Sequence, residues 1–161
     1  MVSSAPRLIL GMSSGTSADA LDIALVEITG AGRYRKVKCL AGSEFETPRP
    51  LKHRINAFLK SYDFPLRDLE VALSRFFIKS VQSFLETCNV SVEDLTCLAS
   101  HGQTVFHHNG DPRQGSLQLG DLQLLADELK VSVVGNFRQA DLLVGGQGAP
   151  ISVFADWILH S

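Results

Sequence analysis

Short apolar runs open the chain, and helical spacing takes over in its middle. Arg7 to Met12 and Leu21 to Thr29 both have strand character. The small polar run between them, Ser13-Ser14-Gly15-Thr16-Ser17-Ala18-Asp19, predicts the turn of a β-hairpin. Gly30-Ala31-Gly32 marks a second turn and Lys36 to Phe45 a third strand, so the chain begins as an antiparallel meander. Pro50 to Ser61 reads as a helix. After Asp63-Phe64-Pro65, apolar residues recur in steps of three and four at Leu66, Leu69, Leu73, Phe76, Phe77, Val81, Phe84 and Cys88. That spacing puts them on one face of a longer helix, with Pro65 suited to its first turn. Ser91-Val92-Glu93-Asp94 reads as a short capped turn.

From there, helices and strands alternate. Leu95 to Ser100 reads as a buried strand ending in a polar loop that starts at His101-Gly102-Gln103-Thr104. Ser116 to Leu119 is a further strand, and Asp121 to Leu129 a helix capped near Gly120 or Asp121. Val131 to Val134 is a strand running into Gly135-Asn136-Phe137-Arg138. A glycine-rich stretch, Gly145 to Pro150, closes a loop that begins at Asn136, and Ile151 to His160 starts a helix. A meander followed by alternating elements makes an α/β domain on a mixed sheet. Small polar loops follow strands at three places, where ligands sit in such sheets.

Composition narrows the function classes. The chain has 161 residues, 45% hydrophobic and 20% charged, with a formal charge of -2. Those values suit one domain with its own core. A near-neutral balance offers no electrostatic reason for nucleic acid or an anionic membrane as partner. No apolar run approaches the roughly 20 residues that span a bilayer. The first apolar stretch, Leu8 to Leu10, is too short for a signal-peptide core. Cys39, Cys88 and Cys97 form no CxxC pair. They read as separate thiols in a reducing compartment, and the cytoplasm is the expected location.

Each of the three loops has two readings. In the first, Gly15 lets backbone N–H groups approach an anion, and Ser14, Thr16 and Ser17 add hydroxyls. Asp19 and Asp22 beyond it are placed to hold a magnesium ion through water. The plainer reading is a turn between two strands, and no GK[ST] follows to make it a Walker loop. In the second, His101, His107 and His108 invite a metal, but no carboxylate or cysteine joins them at ligand spacing. His101 and Gln103 fit better as hydrogen-bonding groups for a polar ligand. In the third, Arg138 suits a forked contact with a carboxylate or phosphate, and Gln147 offers an amide between glycines. Its plainer reading is a solvated loop with Arg138 paired to Asp141.

Taken together, GMSSGTSADALD, ASHGQTVFHH, LQLGDLQLLA and VVGNFRQADLLVGGQGAP resemble, in order, the motifs of the anhydro-N-acetylmuramic acid kinases. The match runs from Leu8 to about Phe154, and levoglucosan kinases share much of it. The resemblance implies a ribonuclease H-like lobe of the actin and hexokinase type, with ATP and sugar meeting in a cleft. It implies an enzyme that opens a 1,6-anhydro ring and phosphorylates the 6-oxygen, with ATP and Mg2+ as cofactors and an anhydrosugar as substrate. It assigns Ser14, Gly15, Thr16, Ser17 and Asp19 to the phosphates. It assigns His101, Gln103, Thr104, Arg138, Gly146, Gln147 and Gly148 to the sugar side, with magnesium reached from Asp19 only through water.

The chain departs from the family pattern in several places. The family's general-base aspartate is Asn136 here, and an amide cannot take a proton from water. Asp141 is a conceivable substitute base. The family's glycine after the hairpin aspartate is Ala20, expected to resist a positive φ, and a methionine before Ser14 is Ser13. The chain also stops near the middle of the family's length. One N-terminal lobe over residues 1–161 is therefore expected, without the second phosphate loop and adenosine pocket. Phe154, Trp157, Ile158 and Leu159 would then form an apolar edge that pairs with a copy or with a separate C-terminal lobe. Three readings follow: a fragment of a kinase or one half of a split kinase, without unaided activity; a non-catalytic cell-wall sugar-binding module; or a remnant without ligand.

Overall fold

Alternation of large apolar and small residues makes the first two strands one-sided. The computed structural model describes residues 5–61, 65–107, 110–111 and 115–160. In it β1 (Arg7–Ser14) and β2 (Ala20–Thr29) form an antiparallel hairpin, extended by β3 (Lys36–Glu46). β1 also pairs in parallel with β4 (Cys97–His107). The far side of β4 holds β5 (Ser116–Leu119), antiparallel, at one end and β6 (Val133–Val134), parallel, at the other. Through β6 the strand order is β3-β2-β1-β4-β6, an antiparallel meander beside a parallel trio. This is the ribonuclease H-like arrangement, and it bears out the expected α/β mixed sheet.

Leu10, Leu25 and Leu98 lie in one cross-strand row and are almost completely buried. They face helix α2 (Leu66–Cys88), which packs against β2 and β3 and is flanked by α1 (Arg49–Ser61) and α3 (Leu122–Leu129). Leu69, Leu73, Phe77, Val81 and Phe84 of the helical face are buried as the spacing requires, and Ile78 and Leu85 join them. Leu66 stays exposed at the helix start, and Pro65 sits just before the helix as its cap. α3 is capped by Asp121, whose carboxylate accepts from the Leu124 N–H at 3.0 Å and pairs with Arg67 of α2 at 2.7 Å. Buried Ser74 joins the same two helices, accepting from the Asp121 N–H at 2.8 Å. Ser91 and Asp94 form the expected capping box.

Three boundaries differ from the sequence reading. β4 does not stop at Ser100 but continues to His107, because β5 offers it a partner from Gln103 onward. Gly102, at φ +73°, absorbs the bend there; a Cβ would lie 2.7 Å from the Leu119 carbonyl oxygen. β6 is limited to Val133 and Val134. The stretch after Asn136 is not all loop: residues Phe137–Leu143 form helix α4, and Ser152–His160 form α5. Asp63, Phe64 and His108 lie outside the described residues, as do the side chains of Phe154, Ile158 and Leu159. No helix among the described residues is long and apolar enough to cross a membrane.

Replacing the buried Phe77 by Ala should lower the unfolding free energy by about 3–5 kcal/mol in urea denaturation, while Leu66→Ala should change it by about 0.5 kcal/mol or less.

Candidate functional site

The sheet face turned away from α2 carries small side chains. Gly42, Ala24, Gly11 and Ala99 form a cross-strand row, and a Cβ built on Gly11 would meet nothing within 4 Å. An open cleft of about 810 Å³ lies over Ala24, Gly11 and Ala99. Its walls are the β1–β2 turn (Ser13 to Thr16), Asp22, His101 and Thr104 of β4, Phe137 and Arg138 of α4, and Ala149 to Ser152. Two of the three sequence loops thus meet at one cleft, with the strand residues His101 and Thr104 between them.

The hairpin turn is built around buried residues. Ala18, fully buried at φ +53°, reverses the chain, and its N–H bonds to the Gly15 carbonyl at 3.0 Å. The strain expected at Ala20 falls on Ala18 instead, since Ala20 is already extended as the first residue of β2. Gly15, Thr16 and Ser17 are exposed, and a Cβ on Gly15 would meet only Ser17 Oγ, at 3.9 Å. That open backbone can take an anion's oxygens. Asp19 is engaged by Lys52 of α1, which together with the Ser17 hydroxyl holds its carboxyl below the usual carboxylate range. It does not line the cleft, whereas Asp22 does.

Gln103 is fully buried, and its amide is used up inside the protein. Nε2 donates to the Gly15 carbonyl at 2.8 Å and to the Thr104 carbonyl at 3.0 Å. Oε1 lies 2.6 Å from Ser14 Oγ, whose single proton is shared with the Ala20 carbonyl at 2.9 Å. The expectation that Gln103 faces a ligand gives way to a positioning role: it ties β4 to the hairpin turn. Ser14 is likewise buried, its hydroxyl bonded inside the protein although the residue borders the cleft. Thr104 is buried at the cleft wall.

His101 and Arg138 meet across the cleft. Arg138 Nε–H donates to His101 Nε2 at 3.2 Å, and Arg138 Nη1 donates to the Gly148 carbonyl at 2.9 Å. The Arg138–Asp141 pairing is therefore not formed. Asp141 accepts from the Gly148 N–H at 2.7 Å instead, which draws the glycine loop onto α4 and commits this carboxylate to the loop. A side chain at Gly146 would overlap the Asp141 carboxylate and force it to move. Gln147 is exposed and Gly148 buried, and neither is among the residues that line the cleft. Burial, and secondarily the charge of Arg138, hold the His101 pKa below its ordinary 6.5. The neutral ring is what lets Nε2 accept.

Asn136, between β6 and α4, is exposed in the left-handed region at φ +56°, a conformation Asn tolerates better than most residues. Its side chain makes no capping bond. No group of three or more His, Cys, Asp or Glu among the described residues could hold a metal. The roles of Phe137, Pro150 and Ile151 as cleft walls were not legible beforehand, since only chain folding brings them to β1.

Strand order and the open small-residue face define an α/β domain of the ribonuclease H-like type. A family model described as anhydro-N-acetylmuramic acid kinase matches residues 7–161, and the chain belongs to that family. It is 32% identical over 164 residues to the anhydro-N-acetylmuramic acid kinase of Pseudoalteromonas translucida, covering 96% of this chain and 41% of that protein. The corresponding kinases of Francisella tularensis subsp. novicida and Gloeobacter violaceus are 34% identical over 163 residues and 36% over 161, each across 96% of this chain and 42% of the relative. The chain thus spans about two fifths of the length of the curated relatives it matches. The Thermus thermophilus RuvC structure aligns over 95% of this chain and 80% of its own, at 18% identity and a TM-score of 0.39, too low to relate the two in detail.

Two outcomes test this geometry. The depressed His101 pKa gives stability that is complete above pH 6.5 and lost as pH falls from there through the folded value, because the unfolded ring binds the proton first. The melting temperature should fall over that window, and the slope should flatten in His101→Gln. Gln103→Ala removes the amide's bonds to Ser14, Gly15 and Thr104 from a buried site and should cost about 1–3 kcal/mol in urea unfolding.

Proposed function

We propose that the protein acts in ATP-dependent opening and 6-O-phosphorylation of 1,6-anhydro-N-acetylmuramic acid, a cytoplasmic step of peptidoglycan recycling, with this chain as the N-terminal lobe. The observation that carries this reading is one cleft holding both an open-backbone hairpin and the His101–Arg138 pair. Bound ATP supplies the γ-phosphoryl group. The exposed backbone at Gly15 and Thr16 has room for phosphate oxygens, a fit supported by the free space around Gly15. Asp22, the one carboxylate among the described residues of the cleft wall, would hold Mg2+ through water, since a phosphate-bound magnesium needs few protein ligands. Arg138, held by His101 and Gly148, would orient sugar oxygens from the opposite wall.

Asn136 stands where the family has its general base. Its amide can orient a water or a sugar hydroxyl but cannot take a proton from either. Asp141 does not replace it, since that carboxylate is bonded to Gly148. The same amide favours a second reading, a sugar-binding module without turnover.

Calorimetric titration of the chain with 1,6-anhydro-N-acetylmuramic acid, with and without magnesium ATP, tests both. Sugar should bind the chain and Asn136→Asp alike, and turnover should rise about 10²–10⁴-fold in the variant. Binding without turnover in either version would favour the binding module. No binding by either would overturn both readings.

A further inference from the structure

Lys52 belongs to none of the segments that wall the cleft, yet its ammonium reaches the β1–β2 turn. It stands at the end of the first turn of α1, where its N–H donates to the Pro48 carbonyl at 2.9 Å. A cation there works against the positive end of the helix dipole, and α1 has no acidic residue in that turn to offset it. The side chain pairs instead with Asp19, the last residue before β2. The backbone makes the same junction. Thr47, buried just ahead of α1, donates its N–H to the Asp19 carbonyl at 2.8 Å. Asp19 has no other ion pair among the described residues.

The Lys52 and Asp19 side chains are 37% and 60% exposed, and ion pairs open to water add little to stability. As a brace the pair is weak beside the buried amide of Gln103. Its charge has the larger consequence. Ser17 precedes Asp19 by two residues, so their Cα atoms lie at most about 7 Å apart. That is inside the roughly 8–10 Å over which charges are felt at physiological salt. A bare carboxylate at Asp19 would repel an anion placed on the exposed backbone of Gly15, Thr16 and Ser17. Lys52 cancels that charge from the side of α1. Neither Lys52 nor Asp19 lines the cleft, so the ammonium acts through Asp19 and not on the ligand.

We propose that Lys52 is a positioning residue of the phosphate-binding turn, holding Asp19 against α1 and cancelling its charge so that the turn accepts phosphate oxygens. The acceptance of phosphate rests on the proposed function; the coupling of Lys52 to Asp19 does not.

Calorimetric titration of the chain with magnesium-free inorganic tripolyphosphate tests it. At low salt Lys52→Met should weaken binding about three- to tenfold, and the gap should close as salt rises. Lys52→Arg should bind like the original chain. Lys52→Met combined with Asp19→Asn leaves no bare charge and should return to within about twofold of the original. A lysine that touched the phosphate itself would leave this double variant as weak as Lys52→Met, and that result would overturn the proposal. So would equal binding by Lys52→Met and the original chain, which would leave the phosphate reading standing. An original chain that binds no tripolyphosphate would remove the phosphate reading and the proposal with it. Amide hydrogen exchange reads the coupling without ligand. The Ala18 and Thr47 amides, both bonded at the turn, should exchange about two- to fivefold faster in Lys52→Met. The same change should do nothing once Asp19 is Asn, and exchange indifferent to Lys52→Met would overturn the coupling. Circular dichroism melting of each variant checks that these exposed changes leave the fold intact.

Discussion

A single buried amide decides where the hairpin turn sits. Gln103 lies with no exposure between β4 and the end of β1, and its carboxamide contacts Ser14, Gly15 and Thr104. Buried amides demand partners, because each unsatisfied group costs about 1–3 kcal/mol. The turn therefore cannot drift from β4 without stranding those groups. Everything assembled above the sheet depends on that tie, since the turn forms one wall of the cleft and β4 supplies the next.

The open face complements the tie. Gly11, Ala24 and Ala99 keep the sheet floor low, while Leu10, Leu25 and Leu98 on the other side anchor it to α2. One strand thus serves two environments through its two-residue period. The opposite wall is held by a second polar network. Arg138 links β4 to the glycine loop, and Asp141 gathers that loop onto α4. Both side chains that looked like candidate chemistry are first of all braces. Arg138 still lines the cleft, whereas Asp141 does not.

Membership of the anhydro-N-acetylmuramic acid kinase family makes Asn136 the most informative residue in the chain. Its left-handed backbone suits Asn and Asp alike, so the local fold does not choose between them. The choice therefore lies in chemistry: one side chain can take a proton and the other can only orient a partner. Under the proposed function, an amide at this position would orient a partner without taking its proton, while the hairpin, the small-residue floor and the Arg138 brace stay in place.

Local periodicity determined most of the elements, because strand and helix periods leave their mark within a few residues. The meander, the face of α2 from Leu69 to Phe84, the Ser91 capping box and the Asp121 cap all follow from neighbours in sequence. Motifs singled out the hairpin, His101 and Arg138 separately, and the fold lines one cleft with them. What the tertiary structure decided were matters of long-range partnership. β4 runs on through Gly102 because β5 waits beside it, Gln103 turns inward because Ser14 and Gly15 are there to receive it, and Asp19 leaves the cleft for Lys52 on α1. None of those partners lies within a helical turn of the residue it captures, so no local pattern could announce them.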